Sequence, residues 1–212
     1  KDIRKRYGDK LRLPQIAVLV KVREDGTRKT RLIVDLRRCG TNGQIVARER
    51  LVLPRMTDLS DSVLDILEAN TVRAPGQALQ KLPAAGSMTE KFMLFCIDFK
   101  DAFYTMKIND IEKKHVVTKG SHDFFVFDCV AFGLASGPLL WGRLAASLTR
   151  FAQAIFSPAE FRIQCYVDDP AGAVFGEADF ERAKLVAIYL LFVRAMGFDL
   201  SWNKFQCGKV LE

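Results

Sequence analysis

Two apolar stretches carrying aspartate at their tips constrain this chain more than any other feature. Residues 92–98 (FMLFCID) have the length and composition of a buried strand that ends in an acid. Residues 163–167 and 171–175 flank Asp168-Asp169-Pro170 and read as a β-hairpin with that tripeptide at its tip. An Asp-Asp pair alone is a common turn dipeptide. If the hairpin pairs beside the first strand, Asp98, Asp168 and Asp169 converge at one sheet edge, where unpaired carboxylates repel and raise one another's pKa. Mg²⁺, which favours hard oxygen ligands and keeps some of its waters, removes that cost. Two such ions about 4 Å apart are the arrangement that activates a hydroxyl and steadies a leaving oxygen in phosphoryl transfer.

The rest of the pattern is mixed α and β. Residues 16–22 (IAVLVKV) and 29–37 (KTRLIVDLR) form a hairpin across a turn at Glu24-Asp25-Gly26-Thr27. Period 2 sets Leu32, Val34 and Leu36 on one face and Lys29, Arg31, Asp35 and Arg37 on the other, so a row of cations shares one side. A helix is expected over 58–69 with Thr57 as N-cap, a loop over 70–91, and a strand over 124–130. Apolar residues at three- and four-residue steps predict a helix over 139–156. A second long helix is predicted over 177–196, ended by Gly197. The fold class is therefore α+β, with an antiparallel sheet backed by two long helices and a small basic lobe.

Charge divides unevenly. The 212 residues carry a net +7, but residues 1–55 hold 16 Lys/Arg against 6 Asp/Glu, and the remainder 16 against 19. A basic lobe on a slightly acidic body suits a polyanion, nucleic acid or nucleotide phosphate, although a solvated basic surface gives the same count. The five cysteines (39, 96, 129, 165 and 207) are scattered without a CxxC pair, which argues against a disulfide scaffold or a zinc site. With His115 and His122 alone, a histidine-based metal or hydrolase site has little to draw on. Apolar stretches at 129–142 and 185–193 are too short to span a membrane, for which about 18 residues are needed. The basic N-terminus lacks the apolar core of a secretion signal. These features predict an intracellular protein, cytoplasmic or nuclear and not secreted, cut from something longer.

The same residues, taken in order, resemble the reverse transcriptase domain of retroelement and retrovirus-type Pol polyproteins. Residues 97–103 (IDFKDAF) look like polymerase motif A. Tyr166-Val167-Asp168-Asp169 looks like the YxDD box of motif C, residues 131–138 (AFGLASGP) like motif B, and Gly197-Phe198 with Asn203-Lys204 like motif D. Residues 31–37 and Leu53-Pro54 are similar to the family's fingers pattern. The resemblance covers residues 16–209 and departs from the family at Pro170, where an aliphatic residue is usual, and at Ala131, where Pro is common.

The resemblance implies a right-hand polymerase. Its fingers hairpin would occupy 1–57, a helix and loop 58–91, and a palm with motifs A to D 92–212, with the thumb absent. Asp98, Asp168 and Asp169 would hold two Mg²⁺ ions, with Mn²⁺ an acceptable substitute and the Phe99 carbonyl an added ligand. Lys204 would protonate the pyrophosphate leaving group. Arg31, with Arg23 or Lys21, would contact the incoming dNTP, as would the backbone of Asp101 and Ala102, and Phe132. Phe103 would exclude a ribose 2′-hydroxyl unless it is merely a core aromatic. Gly133, Tyr166, Lys29 and Arg37 would lie along template and primer. The implied partners are an RNA or DNA template with its primer, dNTPs, and the thumb, connection and RNase H segments of a parent polyprotein, with no membrane. A decayed or domesticated copy that binds nucleic acid without polymerising is the main alternative. A viral RNA-dependent RNA polymerase is disfavoured by the D-x-x-D-A-F spacing and by Phe103.

Overall fold

The computed structural model describes residues 3–8, 10–22, 26–71 and 90–211. Arg23, expected to contact the dNTP, Glu24 and Asp25 of the expected hairpin turn, and residues 72–89 of the expected loop lie outside the described residues. In chain order the helices are α1 (Ile3–Tyr7), α2 (Met56–Asn70), α3 (Gly137–Ile155) and α4 (Asp179–Ala195). The strands are β1 (Gln15–Val22), β2 (Arg28–Asp35), β3 (Phe92–Cys96), β4 (Val117–Lys119), β5 (Phe124–Val126), β6 (Phe161–Tyr166), β7 (Asp169–Phe175) and β8 (Gln206–Gly208). Two compact units result, one from residues 1–51 and 101–141, the other from 52–100 and 142–212. Among the described residues, no helix is long and apolar enough to cross a membrane.

In the first unit β1 and β2 pair antiparallel, with Gln15 opposite Asp35 and Val22 opposite Arg28. The period-2 expectation holds on β2 and its continuation, where Val34 and Leu36 are buried, Leu32 is half-buried and Arg31 faces solvent. Val34 and Leu36 form a core with Val116 and Ala131, against which Cys39, Ile108, Phe127 and Leu134 pack. The row of cations is shorter than expected. The Asp35 carboxylate accepts the backbone N–H groups of Arg37 and Arg38 at 3.2 and 3.1 Å, which turns the chain and leaves Arg37 beyond the strand. The strand expected over 124–130 pairs with β4 only as far as Val126, because the backbone beyond it changes partner: Ile108 donates to the Asp128 carbonyl and Val130 to the Met106 carbonyl, each at 2.9 Å, with Cys129 opposite Lys107.

The second unit is a four-stranded antiparallel sheet in the order β6-β7-β3-β8. Alternation along the strands gives it two apolar faces. On one, Ile66 and Val63 of α2 pack with Phe92, Leu94, Ala173 and Phe175. On the other, Phe95 lies 5.5 Å from Tyr189 of α4 and 5.7 Å from Phe161, which stacks at 4.2 Å on Phe156 just past α3. Helix α4 buries Arg182, Val186, Tyr189 and Val193, a stripe at the three- and four-residue spacing of an amphipathic helix. Helix α2 begins two residues earlier than expected. Its N-cap is Arg55, whose N–H is taken by the Asp58 carboxylate, so Thr57 sits within the first turn.

Candidate metal centre

The hairpin does pair beside the acid-tipped strand. β3 runs antiparallel to β7 with Cys96 opposite Ala171, and the ladder continues past the strand end. The Ile97 N–H donates to the Pro170 carbonyl at 3.0 Å and the Phe99 N–H to the Asp168 carbonyl at 2.8 Å. That register sets Asp98 directly across from Asp169, with side chains on the same face. On its other edge the Asp98 carbonyl accepts the Ser201 N–H at 2.8 Å, so Asp98 is held between two backbone segments and is buried.

The tip of the hairpin differs from expectation. Tyr166 pairs with Asp169 and Cys165 with Pro170, so the connection is Val167-Asp168, and Asp169-Pro170 already belongs to β7. Val167 takes a φ of +56°, a conformation that costs a β-branched residue of order 1–3 kcal/mol and so has to be stabilised by its surroundings. Pro170 is accommodated because its missing N–H would point at β3, across from Ile97, leaving the β6–β7 hydrogen bonds intact. The ladder loses one donor and the hairpin loses none.

The outcome is a cluster in which one carboxylate oxygen from each of Asp98, Asp168 and Asp169 lies within 4.8 Å of the others. Lys204, at the end of the 3₁₀ turn Trp202–Lys204, places its Nζ 2.6 Å from Asp98 Oδ2. Burial pushes the Asp169 carboxyl up to about 6, with the Asp168 and Asp98 charges adding to the rise and Lys204 opposing it. The neighbouring Cys165 thiol is pushed up to about 12, by burial and then by Asp168 and Asp169, so it stays protonated. The donor set offered near neutral pH is therefore all oxygen, which fits a hard divalent cation such as Mg²⁺ and not a thiophilic metal.

A pH dependence follows from the raised Asp169 value. A carboxyl with a folded pKa above its unfolded one favours folding below pH about 4, and that contribution disappears as pH rises through 6. Cation binding has the opposite sense, since it requires the deprotonated form. Affinity for Mn²⁺, followed by electron paramagnetic resonance, is expected to fall about fivefold between pH 6 and pH 5, one proton being displaced per ion from a carboxyl half-protonated at pH 6. A flat profile across that range would show that Asp169 takes no part.

The other residues singled out in the sequence are divided between the units. Phe99 and the exposed Tyr166 lie in the second, beside the carboxylates. In an extended residue N–H and C=O point the same way, so the Phe99 carbonyl is directed toward the hairpin tip as its N–H is. Lys29, Arg31, Arg37, Asp101, Ala102, Phe103, Phe132 and Gly133 lie in the first. There Lys21 stands directly opposite Lys29, and Leu19 opposite Arg31. Like charges across a strand pair are unfavourable unless an anion joins them. Asp101 has a φ of +55° at the head of the 3₁₀ turn Ala102–Thr105, a left-handed step of the kind from which backbone anion nests are made. The Phe132 ring meets Phe103 at 5.2 Å and Tyr104 at 5.4 Å, both edge-on. Gly133 has a φ of +112°, and its neighbour Phe132 accepts the Val34 N–H at 2.9 Å.

Two residues escaped the sequence reading. Tyr104 completes the aromatic cluster. Asn42 clamps the 131–136 turn, donating from Nδ2 to the Gly133 carbonyl at 2.8 Å and accepting the Ala135 N–H at 3.0 Å. Its only local signal is Asn42-Gly43, which marks a turn without saying what the amide reaches.

No protein-family model matches this chain, and no curated protein matches it. Solved structures do. The chain is similar to the native prototype foamy virus protease-reverse transcriptase, with a TM-score of 0.53 and 15% identity over 92% of this chain and 21% of that one. It is similar also to the foamy viral protease-reverse transcriptase dRH in complex with ds DNA, with a TM-score of 0.57 and 15% identity over 90% of this chain and 27% of that one. For the foamy viral enzyme in complex with RNA/DNA hybrid, the TM-score is 0.50 at 16% identity. This chain spans between 20% and 27% of the length of these structures. The likeness establishes a partial reverse-transcriptase-like α+β fold.

Proposed function

We propose that this chain is the fingers and palm of an RNA-directed DNA polymerase, which adds dNTPs to a primer 3′-end. One observation carries the reading: acids about seventy residues apart in sequence, Asp98 and Asp168-Asp169, share one corner of the sheet with Lys204. In this reading residues 1–57 are the fingers, 58–91 the link, and 92–212 the palm.

Asp98, Asp168 and Asp169, with the Phe99 carbonyl, would hold Mg²⁺. When bound, the metal pair lowers the pKa of the primer hydroxyl and neutralises charge building on the transferred phosphate. The remaining work is positioning. Arg31, with Lys21 or Arg23, takes the triphosphate, and the Asp101 and Ala102 N–H groups hold phosphate oxygens. Phe103 and Phe132 bound the sugar and base of the incoming nucleotide. Lys29, Arg37, Gly133 and Tyr166 follow template and primer, and Lys204 supplies a proton to the leaving pyrophosphate. The structures of the foamy viral enzyme with ds DNA and with RNA/DNA hybrid support a nucleic acid partner of this kind.

Primer extension on an RNA template with Mg²⁺ and dNTPs, run beside Asp168→Ala/Asp169→Ala, tests this. Incorporation that disappears in the double variant is expected. Incorporation that survives in it, or a protein that binds primer–template yet extends nothing, overturns the polymerase reading; the second result leaves a nucleic-acid-binding relative. In the same assay Phe103→Ala is expected to raise use of rNTPs relative to dNTPs by roughly tenfold or more, a factor of ten being 1.4 kcal/mol in the barrier. An unchanged ratio assigns Phe103 to packing against Phe132.

A further inference from the structure

We infer that Lys204 is a tethered counter-ion, one that occupies the carboxylate cluster when no metal is bound and that an arriving divalent cation must displace from Asp98. The inference rests on the metal-binding reading above and adds to it a competitor built into the chain.

The contact has the build of a designed position. Ser201 donates its N–H to the Asp98 carbonyl at 2.8 Å, and Lys204 donates its own N–H to the Ser201 carbonyl at 2.9 Å. The turn that carries the lysine therefore hangs from the backbone of the residue its ammonium neutralises. Nζ reaches Asp98 Oδ2 at 2.6 Å, with the Asp98 side chain only 12% exposed and that of Lys204 47% exposed. The aspartate cannot leave, whereas the lysine can swing into solvent.

With all three ionised, carboxylates this close repel one another unless a positive charge stands among them. A Mg²⁺ ion sits about 2.1 Å from its oxygen ligands. With Nζ still on Oδ2, two positive centres would share one buried carboxylate at short range, with little water between them. The ammonium is the mobile partner, so it yields. Metal entry and release of Lys204 toward the reacting phosphates then become a single event, and the proton donor is freed only when the ion is in place.

Mn²⁺ binding to the whole chain, measured by calorimetry without substrates, tests this. Lys204→Met is expected to bind Mn²⁺ about tenfold more tightly than wild type, since a competing charge has been removed. Lys204→Arg, which keeps the cation, should bind as wild type does. Without metal, Lys204→Met should melt lower, and Mn²⁺ should raise its Tm by more than it raises that of wild type. Equal or weaker binding by Lys204→Met overturns the inference while leaving the metal site standing. Wild-type protein with no saturable binding sensitive to Asp168→Ala/Asp169→Ala overturns the metal site itself, and the inference with it.

Discussion

Asp98→Asn is expected to reduce dNTP incorporation by about 10³-fold or more while the protein stays folded, because it removes a charge without changing shape. Asp98 is the buried member of the cluster and the one fixed from both sides, through the Asp169 pairing on β7 and the Ser201 N–H on its carbonyl. Neither constraint involves the side-chain charge, so backbone geometry should survive. An amide there presents one neutral oxygen and an N–H₂ donor, and a hard cation loses its least movable ligand. Lys204 loses its counter-ion, and Asp169 loses one of the charges that hold its carboxyl up near 6. The metal-free variant should therefore melt within a few degrees of wild type, or slightly above it, while Mn²⁺ binding weakens sharply. Single-nucleotide incorporation and thermal unfolding on one preparation check both halves. Activity above about a tenth of wild type would remove Asp98 from the chemistry, since losing a group that acts on the transition state costs orders of magnitude.

How far the chain announces this arrangement depends on whether a feature is local. The buried strand ending in Asp98 and the two-sided pattern of β2 are legible because period 2 and apolar length are properties of neighbouring residues. Both long helices are legible to within two residues for the same reason. Register is not local. Pro170 made the tip read as Asp168-Asp169-Pro170, but the backbone turns one residue earlier at Val167-Asp168, since only the pairing with β6 decides where the two-residue connection falls. The family likeness singled out Lys204, yet its ion pair with Asp98 depends on a backbone bond from Ser201, which no spacing shows. Asn42 is the extreme case. Its two partners lie more than ninety residues away, and a half-buried Asn in a turn carries no mark of them.

Gly133→Ala should destabilise the first unit by about 3 kcal/mol, for reasons of space more than of backbone preference. A Cβ on Gly133 would lie 2.1 Å from the Val34 carbonyl oxygen, which is backbone and cannot rotate away. Relief requires β2 and the 131–136 turn to part, and that sacrifices the Val34 N–H bond to Phe132 and slackens both bonds to Asn42. Gly197→Ala supplies the control. Gly197 also has a positive φ, +86°, but an added Cβ meets nothing within 4 Å, so only conformational strain of about 1 kcal/mol applies. For a protein of this size about 1 kcal/mol corresponds to about 2–4 °C in Tm, so Gly133→Ala should melt about 6–12 °C lower and Gly197→Ala about 2–4 °C lower. Equal shifts in the two variants would show that β2 moves aside at no cost. The turn would then be a loosely held surface loop, and the proposed contact of Gly133 with template and primer would lose its rigid support. A large shift in Gly133→Ala alone would establish that β2, Asn42 and the turn form one clamp, which holds the Phe132 ring against Phe103 at a fixed place in the first unit.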